Sequence, residues 1–462
     1  MIEREEMQEV AERFEEPIEL IIGSHSALDA AAGARDYGIK RIIYTTPGRA
    51  EIYLSNPIVG DSKKTIEDLP SEVRGNVIVR KDPRDIPKSG SWRHCILILN
   101  RYDDVLKFQS ELQELECLQI PNRAFSVYVG GEGCRRIEND FAIPIVGSRK
   151  LLKMEDRRIE KNYYWYLERA GIPCPKEFGY LIVDDGIKFE RDIEQPLVLK
   201  VPFASRRYER GFVFAADSAE LERKIKEEVM RTHIDKDDLK LGRVEEVVPG
   251  VTANFNFFYS PINAREDWGE LTKLVPAWKL ANEFLSIDER RETTYDGIAR
   301  FPARDQMKMD WSKTDYPEAL EVTAHALISL RESLLRFVFP IANKFVELTQ
   351  KEEPPGMIGA YCLQTLFTYQ KTPQLRMRNI RIGLGVPVEE GVYDVPEGRE
   401  FYDFIPVTQD VATRHGGGTN VHMGIGSQYA NVKYRRPMSM GSRIALEIKR
   451  ACKKGMLGEI VT

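Results

Sequence analysis

The sequence predicts an α/β N-terminal domain built on a parallel sheet, followed by an α+β body, on three observations. Short β-rich apolar runs alternate with helix-spaced segments over roughly the first 125 residues, the pattern of strands joined by crossover helices. After that the order changes to longer strand-like stretches broken by a few helical ones. The length of 462 residues also exceeds what one core usually serves, so two or three packed units are expected.

In chain order, IELIIGS (Ile18–Ser24) is an apolar run ending in small residues, and SALDAAAGARDYG reads as an Ala-rich helix closed by Gly38. RIIYTT, NVIVR and HCILILN are further strands, and YDDVLKFQSELQELE a helix. From IPIVGSRK onward a strand, a loop and one long charged helix ending at Gly171 are expected. PLVLKVPF and GFVFAAD are strands, SAELERKIKEEV a helix, and RVEEVVPGVTANFNFFYSP a strand pair around a turn at Pro249-Gly250. TAHALISLRESLLRFVFPIANKFVELTQ reads as a long-helix region with Pro340 as its break. MIGAYCLQTLFT and REFYDFIPVTQDVATR return to strands, with residues 370–400 between them as an inserted hairpin or loop.

Composition narrows the function. Apolar residues make up 42% and charged residues 30%, as in ordinary globular proteins. Lys plus Arg number 67 against 72 Asp plus Glu, a net charge of −5 that excludes a nucleic-acid scaffold and leaves small molecules as partners. Six scattered cysteines without C-x-x-C spacing fit reduced thiols. The acidic, amphipathic start is unlike a signal peptide, and no apolar run reaches the roughly 18 residues of a membrane span. A cytoplasmic protein without membrane partners is expected.

Some residues point to chemistry on their own. Gly23–Ser26 (GSHS), at a strand end before a helix, suits an anion, with backbone N–H groups and His25 as donors; a tight turn with a capping serine is the alternative. Lys200 sits inside the apolar run LVLKV, where a lysine without a partner is costly to bury, so a ligand phosphate is its expected counter-ion. Arg414 precedes Gly416–Gly418, so a guanidinium and backbone N–H groups converge on one place; a merely flexible turn is the alternative.

An ordered series of motifs carries a resemblance: GSHSALDAAAGARDYG, VGSRKLLKMEDRR with AGIPCP, VTANFNFFYSPI, SIDERRETTYDGIARFPARDQ, LRESLL, EPPGMIGAYCLQ, ATRHGGGTN, RPMSMGSRIALEIK and EIVT. Together they resemble the archaeal formate-dependent FAICAR synthetase family of purine biosynthesis, from about Ile18 to Thr462. The resemblance implies an ATP-grasp body at 146–462, with a lid near 175–250, behind a nucleotide-substrate domain at 1–145. It implies ATP, Mg²⁺ (Mn²⁺ as an alternative), formate and an AICAR-like ribonucleotide as ligands, and a homo-oligomer. ATP would phosphorylate formate, because a free carboxylate is a poor acyl donor, and the amine would attack the formyl phosphate.

By this resemblance His25 and Ser26 touch the nucleotide substrate, and Lys200, Lys161, Glu245, Glu246 and Glu292 face ATP. A solvated helix face is the alternative for Lys161, and an exposed strand end for Glu245 and Glu246. Arg414 is the catalytic cation. Four positions depart from the pattern. The two metal-binding glutamates fall on Gln364 and Asp410, and the nucleotide-contacting serine and asparagine fall on Ala124 and His325. Asn122 and Arg123 are the expected compensation, and the lid carries Arg206, Arg207 and Arg210. These changes keep two alternatives open: a ligase for another acid or amine, and a nucleotide-binding homologue with little catalysis.

Overall fold

The structure of the chain, a computed structural model, describes residues 1–55, 76–180, 182–183, 187–188, 192–201, 212–230, 239, 242–292, 296, 299, 302, 306, 322–372, 374–379, 389–394, 401–416, 428–434 and 438–462. The lid arginines and Gly417–Gly418 lie outside these residues.

Strands β1 (Ile18–Ile22), β2 (Arg41–Thr45), β3 (Val77–Arg80), β4 (His94–Ile98) and β5 (Cys117–Ile120) form a parallel sheet of order β3-β4-β2-β1-β5. Its apolar runs are continuous because both faces are covered. Ile21, Ile43, Ile96 and Leu118 pack on one side, and Leu20, Ile22, Ile42, Tyr44 and Leu97 on the other. The first side is closed by the Ala27–Asp36 helix together with the Met440–Lys454 helix from the far end of the sequence. These two helices touch backbone to backbone: a Cβ on Gly33 would lie 2.0 Å from the Gly441 carbonyl carbon. That contact explains the run of alanines and glycine in the first helix, since larger side chains would hold the helices apart.

The predicted long helix ending at Gly171 is instead a 3-10 segment, Arg149–Glu155, and a short α-helix, Tyr163–Arg169. Asp156 takes the N–H groups of Arg158 and Gly133 at 3.0 and 3.1 Å, and Asn162 caps the second helix through Tyr164 N at 3.0 Å. Such side-chain bonds compete with helix continuation.

Beyond it come β6 (Glu177–Tyr180), β7 (Ile182–Val183), β8 (Ile187–Lys188), β9 (Leu197–Lys200), β10 (Phe212–Ala215) and β11 (Arg243–Glu246). One sheet has the order β10-β9-β11-β6. The larger sheet joins β12 (Val251–Tyr259), β13 (Asn282–Glu292), β14 (Val322–Leu327), β15 (Gly359–Thr372) and, after the hairpin strands β16 (Gln374–Asn379) and β17 (Glu389–Asp394), β18 (Phe401–Ala412). Its order is β14-β13-β12-β15-β18.

Two expectations are corrected here. β11 and β12 flank Pro249-Gly250 but do not pair; each joins a different sheet, so the segment is a linker between layers. TAHAL is strand β14, and the helix after it runs Glu332–Glu352 straight through Pro340. An interior proline costs roughly 3 kcal/mol, and burial of Val338, Ile341, Ala342, Phe345 and Val346 offsets it.

Candidate active site

One face of the larger sheet is polar. In A-N-F-N-F (Ala253–Phe257) the period of two sends Ala253, Phe255 and Phe257 into a core with Tyr361, Leu363 and Val411. Asn254 and Asn256 therefore face the other way. Ladder register extends this polar face: Asp288 stands beside Asn254, Asn254 beside Gln364, and Gln364 beside Asp410. The result is a cross-strand row of amides and carboxylates over four adjacent strands.

Asp288 is buried and accepts from Asn254 Nδ2 at 3.0 Å, Asn256 Nδ2 at 2.6 Å and His325 Nδ1 at 2.8 Å. With its nitrogen committed to Asp288, Asn254 presents its Oδ1 elsewhere. That oxygen and Gln364 Oε1 are both buried without a hydrogen-bond partner among the described residues. Asp410 completes the row, with Arg290 at 3.7 Å. Two orphaned carbonyl oxygens beside a carboxylate form an all-oxygen set, which suits a hard divalent cation. Among the described residues no group of three His, Cys, Asp or Glu forms a metal cluster.

Lys200, at the end of β9, is buried and ion-pairs with Glu245, and it donates to Tyr164 Oη at 3.2 Å. Tyr164 in turn donates to Glu245 at 2.8 Å. The expectation that this lysine lacks a protein partner is thus corrected: β11 lies beside β9 and supplies one. Burial first, and then Arg157, push the Lys200 pKa down, against the pull of Glu245 and Asp410. Arg157, bound to Tyr163 Oη at 2.8 Å, likewise feels Asp410. Lys200, Arg157 and Asp410 therefore share one electrostatic neighbourhood.

The third wall comes from the parallel sheet. Strand order reverses between β1, whose next strand lies on one side, and β5 on the other, and open α/β sheets bind ligands at such a crevice. His25 and Ser26 follow β1, and Asn122 and Arg123 follow β5. Arg123 and Arg414 both engage Glu155, so one carboxylate is shared by two guanidiniums and the site carries surplus positive charge. Arg414 Nη2 donates to Glu155 at 2.9 Å. Its Nε is 2.9 Å from Oε1 but off the hydrogen-bonding direction.

His25 is exposed. The protein atoms gathered about its turn, and then the charges of Arg414, His415, Arg123 and His325, push its pKa below the ordinary histidine value. Ser26 is buried, with Oγ 3.5 Å from the His415 carbonyl oxygen. Asn122 is spent structurally: its oxygen caps Ala124 N at 2.9 Å and its nitrogen holds Ser24 O at 3.1 Å. Only Arg123 is left to compensate for the missing serine. Ala124, expected to face the substrate, is buried in the core and brings no polar side-chain atom.

Three further predicted residues have these surroundings. Lys161 is not on a helix but in the turn before one; it pairs with Glu352 at 3.4 Å. Glu246 accepts from Lys176 N at 2.9 Å. Glu292 ends β13 opposite Val322, and its side chain lies outside the described residues.

Asn254, Asn256, Asp288, Arg157 and His415 were missed by sequence reasoning. The alternation in A-N-F-N-F was the available signal for the asparagines. His415, at 2.8 Å from Asp29, has no local signal because its partner is distant in sequence.

Comparison with known proteins fits this geometry. A family profile described as "Protein of unknown function (DUF1246)" matches residues 20–178, and one described as "Domain of unknown function (DUF1297)" matches 220–382 and 402–462. The chain is 28% identical, over 100% of both sequences, to a Methanopyrus kandleri protein named 5-formaminoimidazole-4-carboxamide-1-(beta)-D-ribofuranosyl 5'-monophosphate synthetase. It is also 28% identical to the Methanobrevibacter smithii protein of that name, over 96% of this chain and 93% of the relative. The crystal structure of an IMP biosynthesis protein PurP from Thermococcus kodakaraensis superposes with a TM-score of 0.56 at 23% identity, covering 96% of this chain and 100% of the other, which shows a shared fold. Along its whole length, then, the chain is similar to archaeal proteins that bear this synthetase name.

Proposed function

We propose that the chain is an ATP-grasp ligase of purine (IMP) biosynthesis, which formylates AICAR with formate to give FAICAR, ADP and phosphate. The observation that supports the reading is that Lys200 and Arg157 both feel Asp410, the ladder partner of Gln364. Arg123 feels Asp410 as well, and His25 feels Arg123 and Arg414. The names of the full-length relatives support it.

In this reading the terminal phosphate of ATP draws Lys200 away from Glu245, and Arg157 helps to carry its charge. Gln364 Oε1 and Asp410, with Asn254 Oδ1 beside them, would hold Mg²⁺; when bound, the ion neutralises developing phosphate charge. Arg414 steadies the transferring phosphoryl group. Arg123 and the His25–Ser26 turn hold the ribonucleotide phosphate. The residues near 175–250 close over the site to keep water from the acyl phosphate. Residues 1–145 serve as the nucleotide-substrate domain and 146–462 as the ATP-grasp body. A self-associating protein is part of this reading. Among the described residues no helix is long and apolar enough to cross a membrane.

The test is direct. Protein, ATP, Mg²⁺, formate and AICAR should yield ADP and a formylated ribonucleotide in equal amounts. ADP formed only with another acid or amine would move the reading to a different ligase. Nucleotide binding without turnover would move it to a weakly catalytic homologue, the outcome that Gln364 in place of a carboxylate favours.

A further inference from the structure

Asp288 is placed to fix the chemistry of its neighbour. Its buried carboxylate already receives N–H groups from Asn254 and Asn256, so it is an acceptor toward whatever else approaches. His325 approaches through Nδ1 at 2.8 Å, which places that nitrogen to donate to the carboxylate. The ring is left with Nε2 as a bare acceptor, on a side chain that keeps 23% of its surface exposed while Asp288 keeps 2%. This is the arrangement in which a carboxylate orients an imidazole for proton abstraction.

The position matters as much as the tautomer. His325 is the ladder partner of Arg290, whose guanidinium reaches Asp410 of the oxygen row. On its other side His325 lies within electrostatic range of His25, in the turn after β1. It thus stands between the wall assigned to the ribonucleotide and the wall assigned to phosphoryl transfer. Among the described residues, the charged and titratable groups about it include Asp288 and Arg290 from β13, Asp410 held by Arg290, Cys362 from β15, which feels Asp288 and Arg290, and His25 from the turn.

We propose that His325 is a catalytic residue, the general base that removes the proton from the acceptor amine, and that Asp288 is its positioning residue. The inference rests on the ligase reading above. An amine conjugated to an aromatic imidazole is a weak nucleophile, because its lone pair is delocalised into the ring. When that lone pair attacks the formyl carbon, a C–N bond forms and the C–O bond to phosphate breaks. Phosphate leaves with the bonding electrons. The nitrogen, now positively charged, passes one proton to His325 Nε2, and solvent takes it from there. Atoms and charge balance without any further reactant.

The experiment separates the two half-reactions in the full-length protein. With hydroxylamine in place of AICAR, formyl phosphate is trapped as formohydroxamate, and this strong nucleophile does not depend on an enzymic base. His325→Asn should lower the AICAR-dependent rate by about 10²-fold, the usual size of a general-base contribution. It should also remove the acidic limb of the kcat–pH profile and leave hydroxamate formation within about twofold of wild type. Asp288→Asn should lower the AICAR-dependent rate in the same way and displace the acidic limb, because an amide can present an N–H to the ring and reverse the tautomer. Hydroxamate formation is the internal control for folding and ATP use. The proposal is overturned if His325→Asn retains its AICAR-dependent rate, if the acidic limb persists, or if both half-reactions fall together. A wild-type chain that makes neither product overturns this inference and the ligase reading alike.

Discussion

Gln364 and Asp410 stand directly opposite each other on β15 and β18, and the ladder slips immediately after Gln364. The slip is a β-bulge, a feature that re-aims side chains beside functional sites. It leaves an amide where a second carboxylate would double the negative charge. Gln364→Glu should therefore tighten divalent-metal binding by about an order of magnitude, since ligand charge sets affinity for hard cations. Titration with Mn²⁺, followed by water-proton relaxation, measures this without reference to turnover. An unchanged affinity would place the ion elsewhere.

Lys200 and Glu245 form a buried pair. Lys200→Met should destabilise the protein by about 1–3 kcal/mol, because Glu245 loses its lysine but keeps Tyr164 and Arg243 as partners. Lys200→Met combined with Glu245→Gln should recover most of that loss, while ATP binding stays abolished. Urea denaturation midpoints and an ATP titration of both variants check the two halves of the statement.

Arg443, wholly buried, donates to both oxygens of Glu283 at 3.0 Å and to Glu447 at 2.9 Å. Burial alone would raise the Glu283 pKa, but Arg443, Lys433 and Tyr434 outweigh it and bring it down from 4.5 to about 2. Because the folded value lies below the unfolded one, this stabilisation is complete above about pH 4.5 and is lost as pH falls toward 2. Unfolding free energies measured from pH 6 to pH 3 should fall by a few kcal/mol in the wild type. Glu283→Gln should flatten that slope and lower stability at neutral pH.

Gly33 and Gly441 meet where no side chain fits. Gly33→Ala should cost several kcal/mol, because a methyl 2.0 Å from backbone forces two helices apart and neither can yield locally. Differential scanning calorimetry reads the loss. A fall in melting temperature of less than about 2 °C would mean that the helices are not in contact.

Much of the architecture was legible because local signals suffice for it. Ile18–Ile22 and Arg41–Thr45 are mostly apolar and buried along their whole length, as in a parallel sheet covered on both faces. Pro340 misled because its local cost is real, and only the buried face of the surrounding helix shows why it is tolerated. Val251–Tyr259 was readable as a strand, but its partner was not, because pairing is decided by the layer to which each strand is drawn. Within the candidate site, Lys200 and Arg414 were recognisable by residue type and setting, and Gln364 and Asp410 only through the resemblance. Asp288 and His415 were not, since their meaning lies in His325 and Asp29, partners far away along the chain.

The Met440–Lys454 helix, with Leu457, Ile460 and Val461, sits in the same core as the first strands of the sequence. A ribosome makes these parts more than about 400 residues apart. The early sheet must therefore wait with one apolar side only partly covered until the Met440–Lys454 segment has emerged. Maturation of this protein is thus a late, all-or-nothing event, and a prematurely stopped chain is a target for chaperones and proteases, never a working first half.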